Sequence, residues 1–363
     1  MTRWLLLAAA LLAAGAGGWW WWTAPPRSSN EELQHALGLA PSTARGVVAV
    51  AAPRRAARWL ARHPQGLLLV GAAAGEAAGS LARLGRFAAP LVAAAQGPLV
   101  LWWRGTEAGA AVPVSPSARP ALLELAARSS LAASSGPDWW AVATSPELLG
   151  PNEGALPPST PGPPAFALAR LGGRFWRVQA SRKTLEASTE EVCSLPPETP
   201  GTSTLVCAQA GQALAWLGLG QVAVGPVRVA VNDAHQWAVV FPTLHLDGLA
   251  RSLLGGTPTR AGAVEMWRGV LGTVWVQEGE GTAIASSPEL LASLPSAGVA
   301  VSEGVVHGGH AAWLLGRVAH TVEHIPTLKA QAPLLARVAE LAGGVRVVRL
   351  RLEEQRGHVF LAW

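Results

Sequence analysis

Tyrosine is missing from this 363-residue chain, lysine stands only at positions 183 and 329, and cysteine only at 193 and 207. Charged side chains make up 14% of the residues, against about 25% in ordinary soluble proteins. Each scarcity excludes something. No lysine follows a glycine, so there is no phosphate-binding P-loop. Without a C-x-x-C spacing there is no thioredoxin-like redox pair. A G-x-S-x-G nucleophile elbow is missing too, because Ala300 stands where the first glycine before Ser302 would be. Gly218-Leu219-Gly220 follows a helix-like stretch and leads into a strand, the reverse of a dinucleotide fingerprint.

What is abundant is alanine, glycine, proline, arginine and tryptophan, with 17 tryptophans, 40 glycines and 28 prolines. Arginine in place of lysine, beside so much Ala, Gly and Pro, points to a GC-rich bacterial genome. The net charge of +5 is then a codon-level property, and no nucleic-acid partner is expected from it.

Residues 1–22 read as an export device. Arg3 precedes an uncharged run from Trp4 to Trp22 that ends in Trp19, Trp20, Trp21 and Trp22, and the next charge is Arg27. The run spans 19 residues, about what one helix needs to cross a bilayer. Tryptophan favours the membrane–water boundary. Ala14-Gly15-Ala16 also fits signal-peptide cleavage, but cleavage there would leave four consecutive tryptophans in water. The expectation is a retained single-pass anchor in the cytoplasmic membrane, with the body on the periplasmic or extracellular side.

Beyond the anchor, residues 23–45 read as a linker with a short helix opened by a Ser29/Glu32 capping box. Residues 46–150 form a first α+β module: a strand over 46–52, a helix over 53–62 and a hairpin over 99–114. Residues 151–164, crowded with proline, are a linker. Residues 165–363 form a second α+β module with a hairpin over 227–241 and a C-terminal hairpin over 345–363. A bulge is expected at Val347-Val348, where the apolar alternation changes phase. An internal repeat underlies the division. Val142-Ala143-Thr144-Ser145-Pro146-Glu147-Leu148-Leu149 recurs as Ile284-Ala285-Ser286-Ser287-Pro288-Glu289-Leu290-Leu291. Each copy reads as a strand, a serine cap, and a helix opened by proline. The fold expected is α+β, with duplicated hairpin–helix–strand modules forming antiparallel sheets.

Cys193 and Cys207 flank a Pro/Thr/Ser/Gly loop of the kind that joins two strands. In an oxidising compartment they are expected to form a disulfide. Trp102-Trp103 and Trp139-Trp140 could line a glycan or lipid site, but adjacent strand residues face opposite ways. One of each pair is therefore expected in the core.

Four histidines crowd one segment: His307, His310, His320 and His324. His320-Thr321-Val322-Glu323-His324 is an H-x-x-E-H string, a zinc-peptidase form. On a helical wheel, however, Leu314, Leu315, Val318, Val322 and Ile325 share one face and His320, Glu323 and His324 lie opposite. The histidines are expected on a solvated face. A non-catalytic metal site of His320 and His324, joined by His307 or His310, is the alternative, and no cofactor or catalytic residue is expected.

The two A-[TS]-S-P-E-L-L segments, the hairpin–helix–strand order and the leader together resemble uncharacterised bacterial envelope-anchored proteins with a duplicated domain of unknown function. The resemblance brings no catalytic residues. The partners expected are the membrane, through the N-terminal segment, and an unknown envelope protein or apolar ligand. The function expected is non-catalytic binding or scaffolding, the rival a metal-dependent hydrolase at the H-x-x-E-H string.

Overall fold

A computed structural model describes residues 24–66, 88–149, 163–208, 226–241, 258–293 and 301–363, less a few positions inside them, together with Leu68, Ser80, Leu81 and Leu84. The anchor and most of the proline-rich linker lie outside the described residues. Among those described, no helix is long and apolar enough to cross a membrane.

The fold is α+β. Eighteen strands pair into one antiparallel sheet. In chain order they are β1 (Gly46–Val50), β2 (Leu99–Arg104), β3 (Glu107–Pro113), β4 (Ala132–Ser135), β5 (Trp139–Ala143), β6 (Ala167–Leu171), β7 (Arg174–Ala180), β8 (Thr184–Thr189), β9 (Thr202–Cys207), β10 (Val227–Asn232), β11 (Trp237–Phe241), β12 (Thr259–Ala261), β13 (Val264–Gly269), β14 (Gly272–Glu278), β15 (Thr282–Ala285), β16 (Ser302–His307), β17 (Val347–Leu352) and β18 (Gly357–Ala362). The helices are α1 (Asn30–Leu37), α2 (Pro53–Arg62), α3 (Ala88–Ala94), α4 (Arg119–Arg128), α5 (Pro288–Ser293), α6 (Gly308–Glu323) and α7 (Ala332–Gly343).

From one edge the pairings run β4-β5-β3-β2-β1-β6-β7-β8. β8 then pairs with β18, and the sheet continues β18-β17-β16-β9-β10-β11-β15-β14-β13-β12. Read outward from the β8–β18 seam, each side places its strands in the same relative chain order for eight positions. The second side adds β12 and β13 at its rim and inserts α6 and α7 between β16 and β17.

The two repeated segments sit at the same point of each series and make the same bonds. Thr144 Oγ1 accepts from the Ala108 N–H at 3.0 Å and donates to Ala108 O. Ser286 Oγ accepts from the Trp237 N–H at 2.8 Å and donates to Trp237 O. The expected serine cap is replaced by this arrangement: Ser145 makes no capping bond, and its segment closes as a single tight turn over Pro146–Leu148. Only the second copy makes an α-helix, α5.

Local chemistry explains the elements read most directly. Ser29 caps α1 through the Glu32 N–H. α2 opens with proline and buries Pro53, Ala56 and Trp59 along one side. Of the tryptophan pairs, Trp139-Trp140 is as expected, with Trp140 buried and Trp139 half-buried, whereas Trp102-Trp103 departs from expectation. Trp102 and Trp103 are 1% and 7% exposed, because the sheet is covered on both faces here. Trp102 packs with Leu33, Leu37 and Val100 beneath α1. Trp103 packs with Leu91, Leu122 and Trp140 beneath α3 and α4. Glycine makes room for both rings: a Cβ at Gly109 would sit 2.5 Å from the Trp102 indole, and one at Gly46 2.3 Å from that of Trp103. The expected bulge at Val347-Val348 is absent, since β17 keeps unbroken register with β18.

The chain from β8 to β9 crosses over β18, β17 and β16 as an extended strap. His358 Nδ1 holds Cys193 O at 3.1 Å, Arg349 holds Pro196 O at 2.9 Å, and His307 Nε2 holds Thr199 O at 3.0 Å. Arg346 pairs with Glu198. This crossing separates the cysteines. No disulfide joins Cys193 to Cys207, contrary to expectation. The Cys193 thiol lies over β17, donating to Arg351 O at 3.2 Å, whereas Cys207 belongs to β9, two strands away. Two strand spacings are about 10 Å, and a disulfide needs Cα atoms within about 7 Å.

Candidate functional site

The four histidines fall into two groups at opposite ends of α6. His310 stands in its first turn and His320 in its last, ten residues or about 15 Å apart at 1.5 Å per residue. His320, Glu323 and His324 are exposed, while Val322, Ala319 and Ile325 are buried, so the solvated face is where the wheel put it. The rings of His320 and His324 meet edge to face at 4.9 Å, and His324 Nδ1 bonds His320 O. That contact directs one His324 nitrogen to the helix backbone. Among the described residues no group of three or more His, Cys, Asp or Glu side chains is placed to hold a metal ion. A shallow groove between α6 and α7 does gather His320, Glu323 and Glu340 beside Ala312, Gly316 and Ala336.

The other end of α6 is chemically richer. His310, 6% exposed, links two residues from far along the chain. Its Nδ1 lies 2.8 Å from Ser203 Oγ in β9, and its Nε2 lies 2.9 Å from Asp233 Oδ1 in the β10–β11 turn. A neutral ring with its proton on Nε2 donates to Asp233 and accepts from Ser203. Ser203 Oγ in turn accepts the His307 N–H at 2.8 Å. Around this line, the His307 ring meets His310 edge to face at 5.6 Å, and His235 stacks on Trp313 at 5.0 Å.

Serine, histidine and aspartate in a row are the components of a nucleophilic triad, but the geometry works differently. In a hydrolase triad the serine faces Nε2, the aspartate Nδ1, and the serine oxygen is open to substrate. Here the nitrogens are exchanged, Ser203 is 4% exposed, and its oxygen is committed to the His307 N–H. The arrangement pins β9, the β10–β11 turn and the β16–α6 junction together. Buried polar groups with all their bonds made specify a fixed geometry.

Sequence reading named His307 and His310 as possible metal ligands, and the structure gives them other work. His307 holds the strap, and His310 is the centre of the polar line. Ser203 and Asp233 were not singled out. They lie 107 and 77 residues from His310, and neither belongs to a spacing motif that could have drawn attention to it. No family model, curated protein or solved structure matches this chain.

Proposed function

We propose that this chain is a non-catalytic, membrane-anchored envelope protein that acts as a scaffold or binding body, built from a duplicated α+β unit. The observation that carries the reading is the repeated strand order on either side of the β8–β18 seam. The matching Thr144 and Ser286 bonds support the duplication independently, since chance similarity of helix-start signals would not reproduce a side chain bridging one residue's N–H and C=O. On this reading the units are residues 46–189 and 202–362. They divide at the strap, and the proline-rich segment 151–164 falls inside the first unit. Eighteen strands at about 4.8 Å each make a sheet about 80 Å wide along its curve, a large surface held by backbone bonds. Its partners on this proposal are the membrane, through residues 1–22 with Trp19–Trp22 at the interface, and an envelope protein or apolar ligand.

The hydrolase alternative gains no support from the geometry. His320, Glu323 and His324 face solvent, and Ser203 is buried with its oxygen engaged. The proposal is tested by fractionation. The full-length chain is expected to stay with membranes after a carbonate wash, and protease added to spheroplasts is expected to digest its body. Release into the soluble periplasm would remove the anchor, and protection from protease would remove the envelope-facing orientation.

A further inference from the structure

Between Glu32 and Glu107 the sequence holds eight arginines and a single acid, Glu76. The whole chain has a net excess of only five positive charges, so outside this stretch acids outnumber bases. The positive charge of the molecule is segregated, and its densest part is α2. That helix carries Arg54, Arg55, Arg58 and Arg62 and no acidic residue. Arg54, Arg58 and Arg62 are spaced four apart and exposed, which places them along one face. The opposite face is fixed in the core by Ala56 and Trp59 against Phe166, Leu185 and Leu361. The arginine face is therefore presented by a rigid mount.

Beside this face runs an open groove between α2 and α3, lined by Arg54, Ala57, Arg58, Ala89, Val92 and Ala93. Among the described residues its walls are short and apolar, with guanidinium groups along one side. Arg54 helps build it: its Nε donates to Val92 O at 3.1 Å, and its Nη2 donates to Ala93 O, satisfying carbonyls at the end of α3. Arg58 donates through Nε to Arg54 O, which draws it along the helix towards Arg54. An apolar channel with a cationic rim matches a molecule that is anionic at one end and hydrocarbon at the other. Guanidinium groups favour phosphate oxygens, which they engage through two parallel N–H bonds.

We propose that the α2–α3 groove and the arginine face of α2 bind anionic phospholipid at the membrane surface. The phosphate headgroup lies against Arg58 and Arg62, and the start of an acyl chain lies along Ala57, Ala89 and Val92. The inference rests on the membrane-anchored reading and adds to it a second, electrostatic contact that sets how the body lies on the bilayer. Each arginine held at an anionic bilayer surface gains about 1 kcal/mol, or about fivefold in binding. The gain fades with salt over a Debye length of about 8 Å at physiological ionic strength.

The test uses the full chain, reconstituted in nanodiscs of phosphatidylcholine alone or with a fraction of phosphatidylglycerol. A benzophenone amino acid replaces Ala57, which is exposed between Arg54 and Arg58. Illumination is expected to give a lipid adduct, seen by mass spectrometry, at least tenfold more abundant in the discs with phosphatidylglycerol. Arg58→Gln with Arg62→Gln should reduce the adduct about 25-fold, while Arg58→Lys with Arg62→Lys should retain most of it. Both pairs leave Arg54 and its bonds to α3 intact, and an unchanged melting temperature will show that the fold survives. Incorporation into discs without an adduct, or equal adduct in both lipid compositions, would overturn the groove proposal and leave the anchor standing. A chain that enters neither disc would overturn both.

Discussion

At the residue scale, the two side chains that close the repeats are the most direct place to test what the structure implies. Thr144 and Ser286 each satisfy both backbone groups of a facing residue. Removing the hydroxyl leaves a partly buried N–H without a partner, at a cost of about 1–3 kcal/mol. Thr144→Val and Ser286→Ala are each expected to lower the stability of the body by an amount in that range, measured by urea unfolding. Unequal effects, one large and one near zero, would mean that the two sites are not doing the same job. His63 gives a pH-dependent counterpart. Its ring packs against Trp59 at 4.9 Å and Trp363 at 5.2 Å. Burial first, and then the charge of Arg62, hold its imidazole below the ordinary value of 6.5. The unfolded chain therefore takes up a proton before the folded one does as the solution is acidified. The contribution of His63 is present above 6.5 and is lost as pH falls towards the lowered folded value. His63→Phe keeps the aromatic contacts and removes the titration. Its urea midpoint should vary less between about pH 7 and pH 5 than that of the parent chain.

At the scale of elements, legibility followed the range of the interactions involved. α2 was readable to its ends because a proline start and a one-sided apolar pattern are local signals. The three hairpins were readable because their strands are neighbours both in sequence and in the sheet. The Trp102-Trp103 pair was misread because a strand carries no mark of a second covering layer, and α1 (Asn30–Leu37) is brought over β2 (Leu99–Arg104) from far upstream. The strap was misread for a related reason. Pro196, Pro197 and Pro200 announce a segment that cannot pair in a sheet, yet nothing in them says that three strands lie between its two ends. Those strands come from the last 62 residues of the chain. Ser203, Asp233 and His310 share that obstacle, being joined only once β9, β10 and β16 are side by side. The strap can be probed through Arg349, whose Nε donates to Pro196 O and whose Nη2 donates to Leu195 O. Arg349→Ala removes charge-assisted bonds worth about 1.5–3 kcal/mol. Much of that loss should appear as local opening. Limited proteolysis is expected to cut between residues 190 and 201 faster in the variant than in the parent, before the strands are attacked. Cleavage elsewhere first would show that the strap is held by other contacts.

At the scale of the whole molecule, the question is whether the two strand series behave as one body or two. Only the β8–β18 pairing joins them strand to strand among the described residues. The core beneath that seam, however, is shared. Ala56, Trp59, Phe166 and Leu185 come from one series, and Val345 and Leu361 from the other. Across the opposite face, Glu186 and His358 meet at 2.7 Å. A boundary drawn through the strap therefore marks no gap in the packing. Leu361 is the sharpest probe, being 1% exposed and paired with Leu185 across the seam. Leu361→Ala removes buried methyl groups and leaves a cavity, which costs about 2–5 kcal/mol. If the core works as a single unit, the loss is felt on both sides of the seam. Native-state hydrogen exchange should then show protection falling together in β6–β8 and in β17–β18, with one cooperative unfolding transition. If β6–β8 kept their protection while β17 and β18 lost theirs, the C-terminal hairpin would be an independently opening unit. The two series would then be separate bodies that touch along an edge.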